Sequence, residues 1–503
     1  MLASLFAQAA SFKAPHVDYA ALSPEIVLCG VIVVVLIADL FLEERDKWLT
    51  STLAGLGLLG AIVPVVWLGV YADDRSMFGG AYVVDNFSLV LKTLFLGAGY
   101  VVVLMSTTYV DEGDYYEGEY YTLLLCSILG MLMISSSRDL ISLFVALEFL
   151  SIPAYMLASW RKRDVKSNEA GMKYFLLGVF ASAVMLYGMS LLYGVSDSTL
   201  FSDIADHIAT SGNEPLTTLA IVFVIVGFAF KVSAVPFHSW APDTYEGAPT
   251  PITAFLSVAS KAAGFVALLS LVFVAFPAGK DVWQPLFWVL SALSMTVGNL
   301  VAIRQTNIVR MLAYSSVAQG GFILMPLAVV GKGELADQNA LSAIVTYLVI
   351  YAAMNLGAFA IVLTVARKTR SGEIKSFAGL FSYAPGLCVV MTGFLFSLAG
   401  IPPFGGWFAK FSVFRALISA GGAWAVALAV IGGVNSVFAL YYYANIAKEM
   451  WMNPAPDGDV APIRLPSPLV AALGLTAAAT LLFGVLPGVV SRFSDLTSLV
   501  ASR

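Results

Sequence analysis

Apolar runs of about 20 residues, separated by short polar stretches, recur along the whole chain, which is the pattern left by helices that cross a lipid bilayer. About fourteen runs can be marked, near 22–42, 49–71, 87–109, 119–137, 139–160, 171–194, 216–236, 250–276, 284–303, 308–330, 340–366, 386–407, 421–447 and 467–489. The expected fold is therefore an all-α polytopic membrane protein with about 14 transmembrane helices. No long hydrophilic stretch interrupts the pattern, so residues 1–503 are read as a single membrane domain. Composition agrees, because 503 residues that are 59% hydrophobic and 12% charged fall outside the range of soluble domains.

Two runs are broken by proline. From Gly227 to Phe265 the chain reads GFAFKVSAVPFHSWAPDTYEGAPTPITAFLSVASKAAGF, and further on it reads SLAGIPPFGGWFAKFSVF. Both contain the pattern P-F-x-x-W, as Pro236-Phe237-His238-Ser239-Trp240 and as Pro403-Phe404-Gly405-Gly406-Trp407. An odd number of predicted spans separates the two, so the helices that carry them run in opposite directions, as inverted repeats require. The expected organisation is a first five-helix repeat over 119–276 and a second, inverted one over 284–447, flanked by 1–109 and 467–503. A helix interrupted inside the membrane leaves carbonyls and dipole ends free, which is tolerated only where protein or a polar cavity receives them.

Charged residues inside the runs narrow the picture. A lysine at bilayer depth costs roughly 2.5 to 3.5 kcal/mol, so it faces protein or water and usually has a task. Lys231 and Lys410 flank the two breaks, Lys261 lies too deep in its run to snorkel easily, and Glu148 supplies the opposite sign in ALEFLSIPAYMLASW. Glu148 and Lys231 at about 4 Å would attract by about 4 kcal/mol at an effective dielectric of ~20, enough to switch the lysine's hold on its proton. Residues of this kind favour a proton relay over the alternative of interhelical ties. His238 follows the break at Pro236 and could pass protons between Lys231 and Lys261, or simply cap the loop. Lys173, one turn into its span, could join the relay or tune the pair, or else anchor at the surface. Lys92 is expected to snorkel to the outer face, as is Arg415 to its nearer surface, and Asp39 is expected at the interface.

Positive loops stay on the cytoplasmic side. Arg45, Lys47, the cluster from Arg161 to Lys166, Arg304, Arg310, the cluster from Arg367 to Lys375, Lys448 and Arg464 fall on one side, while Lys13, Arg75, Arg138, Lys280, Lys332, Arg492 and Arg503 fall on the other. With an even span number, both termini are expected outside the cytoplasm. The net charge of −5 argues for no charged partner, and nothing suggests nucleic acid. Cys29, Cys126 and Cys388 lie far apart in apolar runs, so they offer neither a disulfide framework nor an iron–sulfur ligand set and are read as packing residues. The N-terminal MLASLFAQAASF lacks the positive region of a cleaved signal and is read as an external or interfacial tail. Gly55, Gly57 and Gly60 spell G-x-G-x-x-G inside a membrane run without a βαβ context, so close helix packing explains them better than a dinucleotide. No redox or ATP motif is evident.

The broken-helix segment around Lys231 and Lys261 resembles that of the antiporter-like subunits of proton-pumping NADH:quinone oxidoreductase, complex I. SLAGIPPFGGWFAKF, ALEFLSIPAYMLASW and EAGMKYFLLG resemble the N-type member, and the likeness covers roughly residues 25 to 490. A lysine at position 410 speaks against the M-type, and the end of the given sequence after the fourteenth run speaks against the lateral arm of the L-type. The resemblance implies that Glu148 and Lys231 form a coupling pair and that Lys261 is the central relay. It also implies that Lys410 leads to the outlet, with His238 joining Lys231 to Lys261. It further implies partner membrane-arm subunits of the M- and K-types and a peripheral arm carrying FMN and iron–sulfur clusters that reduces a quinone. The site would be the bacterial inner membrane. Multisubunit cation/proton antiporters share the central motif and are the alternative, as is an inert membrane scaffold.

Overall fold

Several of the long helices start where the sequence supplies a cap or a proline, and the first follows Leu22 with Pro24 in its opening turn. The structure, a computed structural model, describes residues 17–43, 46–71, 73–113, 117–212, 214–458, 460–495 and 499. Most of the N-terminal tail, including Lys13, and also Arg45 and Arg503 lie outside the described residues.

Helices α1 (Ser23–Phe41) and α2 (Trp48–Tyr71) lead into a two-stranded antiparallel hairpin, β1 (Arg75–Met77) with β2 (Tyr82–Val84), in which Ser76 pairs with Val83. Asp85 and Ser88 then form a reciprocal cap that opens α3 (Asn86–Glu112). After α4 (Glu117–Ser136), Asp139 caps α5 (Leu140–Ala158) and Asp164 caps α6 (Val165–Ser196). A short helix, α7 (Phe201–Ser211), buries Phe201, Ile204 and Ile208 on one side.

The first broken helix follows. Its leading half, α8 (Pro215–Lys231), ends at the lysine, and helix resumes only at α9 (Trp240–Gly247). Then come α10 (Thr250–Ala275), α11 (Lys280–Ala302), α12 (Ile308–Leu324) and α13 (Glu334–Thr369). A single turn, α14 (Leu380–Tyr383), precedes the second broken helix, made of α15 (Pro385–Ala399) and α16 (Gly405–Ala420). The chain closes with α17 (Ala423–Met452), α18 (Ser467–Val485) and α19 (Gly488–Asp495).

Among the described residues twelve helices are long and apolar enough to cross a membrane, and the shorter apolar helices α8 and α15 head the two broken ones, which together account for the fourteen predicted runs. The predicted runs 216–236 and 386–407 overran both breaks, since apolar residues continue through them while the helical hydrogen bonding stops at Lys231 and Ala399. The β-hairpin and α7 were not predicted: strands of three residues are too short to show a period, and α7 is too short and polar for a span.

Helices differ sharply in what they face. The apolar windows of α10, α12 and α13 are each 89% buried, so these helices form the central axis. Those of α1, α2, α6, α17 and α18 are at most 33% buried and present residues such as Phe41, Trp67, Phe180 and Trp424 outward, as lipid-facing helices do. The axis helix α10 contains two π-helical turns, one of which, Leu256–Ser260, immediately precedes Lys261. Such turns displace the register of one side chain within an otherwise regular helix.

Close approach at the second break depends on glycine. A Cβ at Gly406 would lie 1.7 Å from the carbonyl oxygen of Ser397, a backbone atom that cannot turn away. Gly406→Ala is expected to destabilise the protein by about 1–3 kcal/mol or more, read as a lower thermal midpoint in detergent; an unchanged midpoint would refute the contact. Gly57, from the rejected nucleotide-like motif, packs against Val31 of α1, which bears out the packing explanation at that glycine.

Candidate functional site

Four ionisable groups singled out in the sequence lie in or beside the central axis. Lys231, the last residue of α8, is buried, and its Nζ donates to Ser151 Oγ at 2.8 Å and to Tyr174 OH at 3.5 Å. The tyrosine ring stacks on Trp240, with ring centroids 4.5 Å apart, and Trp240 Nε1 donates to the carbonyl of Phe230 at 3.0 Å. The break thus exposes a carbonyl and the P-F-x-x-W tryptophan satisfies it. In the second echo Trp407 instead donates to Gly484 O on α18, so the two motifs share a sequence pattern but not this contact.

Glu148 projects from α5 and accepts a hydrogen bond from Ser182 Oγ at 2.6 Å. Its carboxylate makes no ion pair with Lys231 within 4.0 Å. A cavity of about 10 Å³ is lined by Lys231, its partner Ser151, Tyr155 and Ser182, the partner of Glu148. That is room for about one water among hydroxyls able to bond it. Each of the two is thus met by a serine and not by the other.

Lys261 sits on α10 with its Nζ donating to both the carbonyl and the hydroxyl of Ser316 on α12, at 2.8 and 2.5 Å. Its neighbour one turn along, Gly264, leaves space for the stem of Lys231, whose Cγ would be 3.1 Å from a Cβ there. Asn355 on α13 donates to Ser257 Oγ at 2.8 Å, tying the π-helical turn before Lys261 to the axis. His238 lies in the break, half-buried, with its ring 6.2 Å from that of Tyr314. It is bonded to neither Lys231 nor Lys261.

Lys410 on α16 reaches back across the second break. Its Nζ donates to the free carbonyl of Ala399 at 2.8 Å and to Ser436 Oγ at 3.3 Å, and lies 4.6 Å from the centroid of Phe322. Each lysine of the axis thus holds a hydroxyl, and two of them hold a backbone carbonyl as well. Buried hydroxyls and amines so linked can pass protons one bond at a time, because a hydroxyl both donates and accepts and a lysine amine accepts once it has given its proton up.

Lys173 stands apart. Its Nζ is within 2.7 Å of both Glu169 and Asp243, and Asp243 also accepts from Arg310 at 2.8 Å, which in turn holds Glu246. Its side chain is 41% exposed, so the structure favours the anchoring alternative. The Asp243→Asn change is expected to cost under about 1 kcal/mol, and less at high salt, because the network is partly exposed. Thermal midpoints at low and high salt would check it.

Three lesser expectations meet the structure differently. Lys92 does not snorkel: it is fully buried and pairs with Glu25 at 2.7 Å, while Tyr82 OH donates to the same carboxylate oxygen at 2.8 Å. The hairpin roofs the pair, and a turn of α1 supplies the acid, neither of which the run containing Lys92 could reveal. Asp39 is 4.0 Å from Lys47 near the end of α1, and Arg415 is exposed. Cys29 is exposed on α1 and Cys126 half-buried, so only Cys388 packs in the interior as expected.

Sequence reading missed the hydroxyl and amide partners: Ser151, Ser182, Tyr174, Ser316, Gln319, Tyr347 and Tyr443. Gln319 and Asn355 had a signal, as amides within apolar runs. Serine and tyrosine gave none, since both are common in membrane helices without a polar task.

Residues 137–436 match the family described as NADH:quinone oxidoreductase/Mrp antiporter, TM. The chain is 39% identical over 475 residues to NADH-quinone oxidoreductase subunit N of Trichlorobacter lovleyi, covering 94% of this chain and 95% of that protein. It is also 39% identical over 487 residues to NAD(P)H-quinone oxidoreductase subunit 2 of Gloeobacter violaceus, covering 94% and 92%. Its fold matches a chain of respiratory complex I from Thermus thermophilus with a TM-score of 0.78 and 30% identity, covering 94% of this chain and 100% of the other. A chain of the Mrp complex from a Dietzia species matches with a TM-score of 0.81 over 95% and 96%, but at 21% identity that likeness concerns the fold alone.

Proposed function

This chain belongs to the NADH:quinone oxidoreductase/Mrp antiporter family of membrane subunits, and from that premise we propose that its Glu148, Lys231, Lys261 and Lys410 form the relay by which it moves protons. It is an N-type, proton-translocating subunit of a complex I membrane arm. The observation that carries the relay is the seating of three buried lysines on hydroxyls along the helices around the central axis, two of them at helix breaks.

Electrons pass from NADH to a quinone in partner subunits that hold FMN and iron–sulfur clusters, with M-type and K-type membrane subunits as neighbours. Moving one charge against 100 mV takes about 2.3 kcal/mol, which those neighbours must supply. In this reading Glu148 and Lys231 receive the driving signal, Lys261 stores the proton and Lys410 passes it on. His238 connects Lys231 to Lys261 when the break moves, and Lys173 steadies α9 through Asp243. Residues 119–276 and 284–447 act as two inverted units, each with one broken helix. The protein lies in the bacterial inner membrane with the rim of Arg161, Arg310, Arg367 and Arg464 toward the cytoplasm and both termini on the other side.

Mild solubilisation of native membranes tests the assignment. Flavin- and iron–sulfur-bearing proteins, together with other antiporter-like subunits, are expected to co-purify with the chain. Recovery of antiporter-like subunits alone would replace redox coupling by cation exchange.

A further inference from the structure

Lys261 meets Ser316 on α12 and Lys410 lies over Phe322 of the same helix; midway between those two positions stands a side chain that cannot titrate. Gln319 lies on α12 one turn beyond Ser316, the residue that seats Lys261, and is 1% exposed. Its Nε2 donates to the carbonyl of Leu398 at 3.0 Å and to Tyr443 OH at 3.4 Å, while its Oε1 accepts from Tyr347 OH. Because a carbonyl can only accept, the bond to Leu398 fixes which end of the amide faces the break. Tyr443 OH also shares a hydrogen with Ser315 Oγ, so hydroxyls surround the amide on the side of α12 and α17.

We propose that Gln319 is the gate between the Lys261 and Lys410 halves of the path. A carboxamide so bonded neither takes up nor gives up a proton in a relay, whereas the serines and tyrosines around it do both. While Gln319 holds Leu398 O, the wire of hydroxyls is interrupted at this point.

The next carbonyl along, Ala399 O, is the one held by Lys410. Two successive carbonyls at the end of α15 are thus gripped by the gate and by the outgoing lysine. A protonated lysine makes the stronger, charge-assisted bond, so its grip keeps the helix end and the gate in place. When Lys410 gives its proton up, that bond weakens, the segment from Gly400 to Phe404 can shift, and the amide swings clear. The gate therefore opens only when the receiving lysine is empty, which prevents a continuous leak. Gln319 acts by positioning and by interruption, and its role rests on the relay reading given above.

The test uses the whole complex in sealed membrane vesicles. Gln319→Glu replaces the amide with a carboxyl that can take and give a proton. It is expected to raise passive proton leak severalfold in the absence of NADH and to lower the number of protons moved per NADH, with quinone reduction continuing. Gln319→Leu, which equally lacks the amide but cannot carry a proton, is expected to stay tight. Wild-type leak and stoichiometry in Gln319→Glu would overturn the gate, as would an equal leak in Gln319→Leu, which would mean loosened packing. If Gln319→Glu fails to assemble, Gln319→His decides: its imidazole can take and give a proton and should leak in the same direction, and wild-type behaviour there overturns the proposal. Lys410→Met separates the two readings, because undiminished pumping in that variant would sink the relay itself, whatever Gln319 does.

Discussion

Lys231→Met is expected to cut NADH-driven proton movement by on the order of a hundredfold, the scale of losing one positioned proton-transfer group, while the subunit stays assembled. Methionine fills the volume of the lysine stem against Gly264 and Val232, so packing is kept. It removes a buried cation, and replacing such a charge by apolar bulk is often neutral for stability. Ser151 keeps its bond to the carbonyl of Leu147, which spares it an unpaired hydroxyl. What disappears is the ammonium bonded to Ser151, beside the small cavity that Ser182, the partner of Glu148, also lines. Acidification of inverted vesicles on adding NADH, measured beside the amount of subunit in the membrane, would check this. Full acidification at normal subunit level would remove Lys231 from the path.

Most of the architecture was legible because bilayer thickness acts on every span alike. A run of apolar residues either reaches across or it does not, and proline within a run marks a break when polar residues adjoin it. Pro236 and Pro403 did so, whereas Pro64, Pro153 and Pro285 lie inside helices that continue past them. The difference was not readable from proline alone, since neighbouring helices can absorb the lost hydrogen bond. Chemistry was legible where the residue type is costly in lipid. Lys231, Lys261 and Lys410 all proved buried. Lys92 shows the limit of that logic: depth along its own run suggested an escape to the surface, but the acid that holds it comes from α1 and the phenol from the hairpin. Partners distant in sequence leave no trace in the run they complete.

The Glu148–Lys231 relation shows the same limit from the other side. Both residues stood out by charge, and an attraction at about 4 Å was a fair expectation for opposite signs in a low-dielectric setting. In the structure each is instead met by a serine, Ser182 and Ser151. Serines on α5 and α6 take the place of a direct ion pair, and both line a site with room for about one water. Nothing in the spacing along α5, α6 and α8 could have decided between the two.

Lys261 separates a relay from a tie most cleanly, because two substitutions pull the roles apart. Lys261→Met removes the charge, and Lys261→Arg keeps it. A tie between α10 and α12 needs only a cation for Ser316, so arginine should largely preserve it. A relay needs a group that gives its proton up, and arginine in proteins does not. Space is also short: the buried amine already sits at 2.8 Å from one Ser316 oxygen and 2.5 Å from the other. Both variants are therefore expected to lose coupled proton movement by on the order of a hundredfold, with arginine also lowering the thermal midpoint by overpacking. Methionine should leave that midpoint nearly unchanged, since the stem volume stays and the costly charge goes. Proton movement retained by Lys261→Arg but lost in Lys261→Met would mean that fixed charge at this place is what matters, and Lys261 would then hold α10 to α12 without carrying the proton.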